Sequence, residues 1–327
     1  MLDQWESNIE RRLTMGNDQA RRLTFGAMMA ALFALLTALT YYVPVIGVFT
    51  VLAIPLPLAL YGARYSRGPS LTVSVAGVVL SFLIAGPGGL LLALLNAPIG
   101  FIIGDGVRTG KTKLYIFMAS GLAVLLMGVL QYAAAAALLN INIISELTDS
   151  LRAYYEQTGE LMKRFDMLPD DYDQIVNQMI LMVQTLMPSM FIMVSYLTAF
   201  ITLSIILPLM RKLGTDVPKF GKFRNMKLPV VLLFYYAIIL IASLLASPEA
   251  GSTGHLIIGN AMLILRVLFF MQGLALLAFA VHATGYPKWV LVIAVLFSVP
   301  LSAIVVLLGI LDTGFNIRGF ITGSKGK

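Results

Sequence analysis

Long apolar runs fill most of the chain, separated by short basic segments and by one extended polar stretch. Runs able to cross about 30 Å of hydrocarbon occupy about 25–43, 44–63, 70–85, 88–106, 113–139, 180–211, 228–247, 255–283 and 287–311. The third and fourth meet at Gly86-Pro87-Gly88-Gly89, a helix-breaking sequence that fits two tilted spans or a re-entrant pair. The pattern predicts an all-α polytopic integral membrane protein with eight or nine transmembrane helices.

The polar stretch, about 140–180, gathers Glu146, Asp149, Glu156, Glu160, Asp166, Asp170, Asp171 and Asp173. Leu147, Leu151, Tyr154 and Tyr155 recur at helical intervals. Pro169-Asp170-Asp171 reads as the start of a second helix that continues into the sixth run. An acidic helical hairpin outside the membrane is expected. It would cover a site, bind a cation, contact the envelope or simply be solvated.

The resulting organisation is an interfacial N-terminal segment (1–24), a first bundle of about five spans (25–139), the hairpin (140–180), a second bundle of about four (181–311) and a tail (312–327). The N-terminal segment does not read as a cleavable signal, because its first apolar core comes late. Leu2, Trp5, Ile9 and Leu13 stand at helical spacing. They fit a short helix on the membrane surface with Arg11 and Arg12 at headgroup level, or a frayed tail.

Composition agrees with this pattern. Of 327 residues, 59% are apolar and 12% charged, and mean hydropathy is +0.88; a soluble domain is about one quarter charged. The excess of Lys and Arg, 23 against 16 acids, belongs to cytoplasmic loops rather than to nucleic-acid binding. With the N-terminus in the cytoplasm, inner segments collect Arg11, Arg12, Arg21, Arg22, Arg64, Arg67, Arg108, Lys111, Lys113, Arg211, Lys212, Lys219, Lys222, Arg224, Lys227 and Lys288. Nine spans would leave Arg318, Lys325 and Lys327 outside, against the same rule.

The absence of cysteine and the presence of only two histidines exclude disulfides and thiolate sites and disfavour a histidine-built metal site. No cofactor is expected. Asp105-Gly106-Val107-Arg108-Thr109-Gly110-Lys111-Thr112 approaches a phosphate-binding loop. It has an acid where glycine is required, and it follows a membrane span; a basic turn explains it. No Ser/His/Asp set, HExxH helix or paired intramembrane carboxylates appear, so an enzyme is not expected.

Two features remain as candidate function. In the first span Gly26, Ala30, Ala34 and Ala38 recur every four residues. This small-residue face packs within the chain or docks another membrane subunit. In the eighth span, Arg266 interrupts an apolar run, at a cost of at least about 2.5–3.5 kcal/mol near the bilayer centre. Asn260, Arg266 and Gln272 are six apart, about 240° per step, so they form no single stripe. Asp312, at the end of the ninth run, is the expected acidic partner on the outer side, and Asn96 in the fourth is a neutral one. Arg266 is thus either a structural arginine or, with Asn96, Gln272 and Asp312, a contact for a small anionic solute.

The stretches "PSMFIMVSYLTAFITLSIILPLMRKLG" (188–214), "NAMLILRVLFFMQGLALLAF" (260–279) and "LLGILDTGFNIRG" (307–319) resemble the YybS-like uncharacterised membrane proteins of Firmicutes. Gly309-x-x-Asp312-x-x-Phe315-x-x-Arg318 and Gln272-Gly273-Leu274 carry most of the likeness. The run "LTFGAMMAALFALLTALTYYVPVIG" (23–47) is similar to the first helix of the S components of energy-coupling-factor transporters. That resemblance implies an S-component-like core in a bacterial cytoplasmic membrane, binding or transporting a small solute. A coupling subunit would dock on the face of Gly26, Ala30, Ala34 and Ala38, and separate ATPases would supply energy. The other reading from the residues is a membrane scaffold or regulator of envelope processes acting through the acidic hairpin.

Overall fold

The computed structural model describes residues 2–139, 142–218, 221–246, 248–249, 251–315, 317–321 and 323, with side chains apart from those of 2–18, 139, 143 and 288. Among the described residues every regular element is helical. The order is α1 (Leu2–Tyr42), α2 (Pro44–Thr50), α3 (Leu56–Arg64), α4 (Arg67–Arg108), α5 (Lys113–Leu139), α6 (Ile143–Arg164) and α7 (Tyr172–Lys212). A 3-10 turn (Phe223–Asn225) precedes α8 (Val231–Ala246), α9 (Thr253–Ala283), α10 (Lys288–Ser298), α11 (Ser302–Phe315) and α12 (Ile317–Ile321). The protein is an all-α multi-pass membrane protein. It divides into two units, residues 1–141 with 194–219, and residues 142–193 with those from 220 onward.

In the first unit α1 runs as one helix from Leu2 to Tyr42. The side chains of Leu2, Trp5, Ile9, Leu13, Arg11 and Arg12 lie outside the described ones. Beyond Tyr42 the chain turns back. The hydroxyls of Thr40 and Thr50 meet at 2.7 Å, and Tyr61 of α3 stacks on Phe25 at 6.0 Å. Together α2 and α3 therefore retrace α1.

Helix α4 folds back on itself. A straight run of 42 residues would be about 63 Å long, yet Arg67 Nε donates to both carboxylate oxygens of Asp105 at 3.0 Å. The turn is at Gly86, whose φ of 60° and ψ of −151° suit a residue without Cβ. Pro87 then begins the returning arm. Tyr42 donates its hydroxyl to the Ile84 carbonyl at 3.0 Å, placing this turn beside the end of α1.

The lower half of α7 runs antiparallel to α5, with Phe117 against Tyr196 and Phe200 at 5.6 and 6.4 Å. Phe33 of α1, Ile99 and Ile103 of α4, and Leu203, Ile206 and Met210 of α7 are fully buried in one cluster. This path collects Arg64, Arg67, Arg108, Lys111, Lys113, Arg211 and Lys212 at one end of the unit, with Arg21 and Arg22. No charged residue stands between Leu23 and Ala63, Gly68 and Gly104, or Leu114 and Ser145.

Among the described residues, five helices are long and apolar enough to cross a membrane. The pair Trp289–Ser298 and Ser302–Phe315, bent by 109°, makes six if taken as one span. The expected eight or nine are not reached by this measure, for physical reasons. The run 44–63 is divided into helices of 7 and 9 residues, 70–85 and 88–106 are the two arms of the folded α4, which counts once, and 228–247 yields only 16 helical residues.

In the second unit α6 lies antiparallel to the first part of α7. Thr148 meets Gln184 at 3.4 Å, Arg152 meets Asn177 at 3.4 Å, and Tyr172 donates to the Tyr155 carbonyl at 2.7 Å. Asn142 caps α6 by accepting from the Ser145 N–H. Pro188 interrupts the ladder of α7, and Asn260 of α9 repairs it. Its amide donates to the Thr185 carbonyl at 2.7 Å and accepts from the Ser189 N–H at 2.8 Å. These are two groups that bond each other in a regular helix.

Helices α9 and α11 cross in backbone contact. A Cβ on Gly309 would stand 1.9 Å from the Phe269 carbonyl oxygen, and one on Gly273 2.0 Å from that of Val305. After α11 the chain reaches Arg318, whose guanidinium lies 5.4 Å over the Phe279 ring, near the end of α9. Helix α10 also starts just beyond that end, and its pair with α11 is bent by 109° at Val299-Pro300-Leu301. The expected ninth span is sharply broken, and Asp312 lies on its second piece. Lys325 and Lys327 lie outside the described residues.

Gly309→Ala and Gly273→Ala are expected to lower stability by about 1–3 kcal/mol or more through overpacking. Gly68→Ala, where nothing lies within 4 Å of the added Cβ, should change it little. Thermal unfolding of the purified protein in detergent measures all three.

Candidate functional site

Where α9 and α11 cross, the glycines bring polar side chains together inside the second unit. Gln272 and Asp312 are 0% and 3% exposed, and Arg318 of α12 is 6% exposed. Gln272 Nε2 donates to Asp312 Oδ2 at 2.6 Å. Arg318 adds its Nε and Nη2 to the same oxygen, each at 3.0 Å. Its guanidinium also donates to the carbonyls of Arg224 at 2.7 Å and Met226 at 2.6 Å, while Gln272 Oε1 accepts the Leu228 N–H at 3.1 Å. One buried centre thus joins α9, α11, α12 and the extended strap before α8.

The electrostatics follow from this inventory. Arg318 neutralises Asp312, and its remaining donors satisfy two carbonyls that no helix pairs. A buried ion pair is tolerated when its other hydrogen-bonding groups are satisfied. One is not: Asp312 Oδ1 is buried without a hydrogen-bond donor.

The expected site residues separate. Gln272 and Asp312 meet. Arg266 lies exposed near the middle of α9; the partner of Asp312 is Arg318, six residues along, which corrects the expected Arg266–Asp312 pair. Asn96 belongs to the first unit and donates to the Leu92 carbonyl of its own helix at 2.8 Å. The face of Gly26, Ala30, Ala34 and Ala38 is buried within the first unit; both alanines at its centre are 3% and 0% exposed. An outward docking face is therefore unavailable there, because the small residues admit α3 and α4 instead: a Cβ on Gly26 would touch Val73 and Tyr61.

Sequence reasoning missed the role of Arg318, although it stands in the Gly309-x-x-Asp312-x-x-Phe315-x-x-Arg318 pattern. Its place beside Asp312 in that pattern was the available signal. Asp105, read as part of a basic turn, pairs with Arg67 and Arg108.

Comparison with known proteins places this arrangement in context. The family described as "Predicted membrane protein (DUF2232)" matches residues 31–313. The chain is 32% identical over 309 residues to the "Uncharacterized protein YybS" of Bacillus subtilis (strain 168), covering 92% of this chain and 98% of that protein. No solved structure matches.

Arg318→Met is expected to destabilise the second unit by about 3–5 kcal/mol, because it leaves Asp312 buried and unpaired. Asp312→Leu combined with Arg318→Met should cost less than the sum of the single changes. A double-variant cycle of unfolding temperatures reads the difference.

Proposed function

This chain belongs to the DUF2232 family of predicted membrane proteins, and from that premise we propose that it binds a small polar solute within the second unit. The observation that carries this reading is Asp312 Oδ1, a buried acceptor left without a donor at the foot of a broken helix pair. Ionisable groups within membrane segments mark solute or ion pathways, and broken helices line such sites in transporters. Arg318 already supplies the countercharge, so the ligand offers a hydroxyl, amide or ammonium donor rather than the anion expected beside Arg266. Gln272 and Arg318 hold the acceptor in place. We assign binding and not catalysis, and no cofactor.

The basic end of the first unit faces the cytoplasm in this reading, as the excess of Lys and Arg there favours, in the cell membrane of a bacterium. An energy-coupled version would add a coupling subunit and ATPases. Any such subunit engages a surface other than the buried stripe of α1.

One observation favours the scaffold reading. The hairpin of α6 and α7 is tied by three cross-helix hydrogen bonds. A partner at the envelope would meet a firm acidic surface.

Mass spectrometry of the purified protein under native conditions should find a small molecule that Asp312→Asn has lost while remaining folded. A wild type that carries none, and that copurifies with no coupling subunit or ATPase, would count against solute binding. Deleting 145–178 separates the readings: loss of the cellular phenotype with normal membrane insertion favours the scaffold.

A further inference from the structure

At the basic end of the first unit, an open recess of about 820 Å³ lies between the start of the α1 span and the end of α3. Arg21, Arg22, Thr24, Phe25, Arg64 and Tyr65 line it. Its volume is that of a small-molecule site. Its floor is built: Phe25 stacks on Tyr61 and lies 6.2 Å from Tyr65, and the Arg64 guanidinium sits 4.9 Å over the Phe25 ring. An arginine held flat on an aromatic ring keeps its edge donors free for a planar or tetrahedral anion.

Among the described residues the charge balance is one-sided. Asp105 is the only acid between Glu10 and Glu146 besides Asp18, whose side chain lies outside the described ones. It is taken by Arg67 and Arg108. Among the described residues no carboxylate lines the recess or pairs with Arg21, Arg22 or Arg64. Arg21 and Arg22 at the start of the α1 span and Arg64 at the end of α3 line the one recess, and basic residues at span ends sit at headgroup depth.

Below the recess the same face of α1 turns apolar and stays uncovered. Arg21, Phe25, Met28, Leu32 and Leu35 follow the i, i+4, i+7 repeat of one helix face; Met28, Leu32 and Leu35 are 54%, 39% and 53% exposed. A cationic recess opening onto an apolar track has the chemistry of a phosphate carrying acyl chains. Basic pockets between membrane helices on the cytoplasmic side take anionic headgroups.

We propose that Arg21, Arg22 and Arg64 form a binding site for a phosphate group, with an anionic phospholipid as its carrier and the Met28–Leu35 face as the bed for its acyl chain. The site is separate from the polar centre of the second unit.

The test uses the full chain in detergent micelles, titrated with phosphatidylglycerol, with phosphatidylcholine and with inorganic phosphate. Native mass spectrometry and thermal shift are the readouts. The triple variant Arg21→Gln, Arg22→Gln, Arg64→Gln should bind phosphatidylglycerol at least about tenfold more weakly than wild type, with phosphatidylcholine weak for both. Arg67→Gln, which removes one equal charge from the same end, should bind as wild type does. The triple change to lysine keeps the net charge and secures the fold; it should fall between the two, because an ammonium cannot bond bidentately. If inorganic phosphate binds and the triple glutamine variant loses it while phosphatidylglycerol shows no preference, the phosphate site stands and its carrier is a soluble phosphate. Equal phosphatidylglycerol and phosphate binding by wild type and the triple glutamine variant, or an equal loss in Arg67→Gln, would overturn the site and leave only general surface charge.

Discussion

In hydrocarbon no water is available for a backbone group that leaves its helix, so each break must be repaired from within the protein. Much of this fold follows from that constraint. Pro188 disturbs α7, and Asn260 is placed to bond the carbonyl of Thr185 and the N–H of Ser189. The strap before α8 has no helical partners, and Arg318 and Gln272 supply them. The polar residues inside this chain are first of all substitutes for missing backbone hydrogen bonds. That is why they meet at breaks and not along a single stripe.

Close backbone approach is the complement of this rule. Without hydrophobic exclusion, packing between membrane helices relies on surfaces that can touch over their whole length. Gly273 and Gly309 let α9 and α11 meet at carbonyl distance, and that contact brings Gln272 to Asp312. In the first unit Gly26, Ala30, Ala34 and Ala38 do the same for α1 against α3 and α4. Small residues here decide where polar residues can meet.

Apolar runs and basic punctuation are local properties, and the helical membrane fold was legible from them, as was the turn at Gly86-Pro87. The family resemblance was legible in the Gln272-Gly273 and Gly309-to-Arg318 motifs. The pairing of Asp312 was not. Depth along a run assigned it to Arg266, whereas the chain beyond α11 delivers Arg318 to it. Whether a run of 25 apolar residues crosses or doubles back depends on a proline and on tertiary contacts that hydropathy does not register. The α1 stripe was equally silent on its partner, since the same spacing serves an internal neighbour or a foreign one.

The folded-back α4 has a consequence for how the chain enters the bilayer. Its two arms carry no charge between Arg67 and Asp105, and its tip is Gly86-Pro87-Gly88-Gly89, so nothing costly is carried across with the turn. The only acid is at the base, already neutralised by Arg67 and Arg108. The clasp closes between residues 38 apart, within one stretch of newly made chain. The segment therefore holds, by itself, what a helical hairpin needs to insert as a pair, before the later helices exist to pack against it.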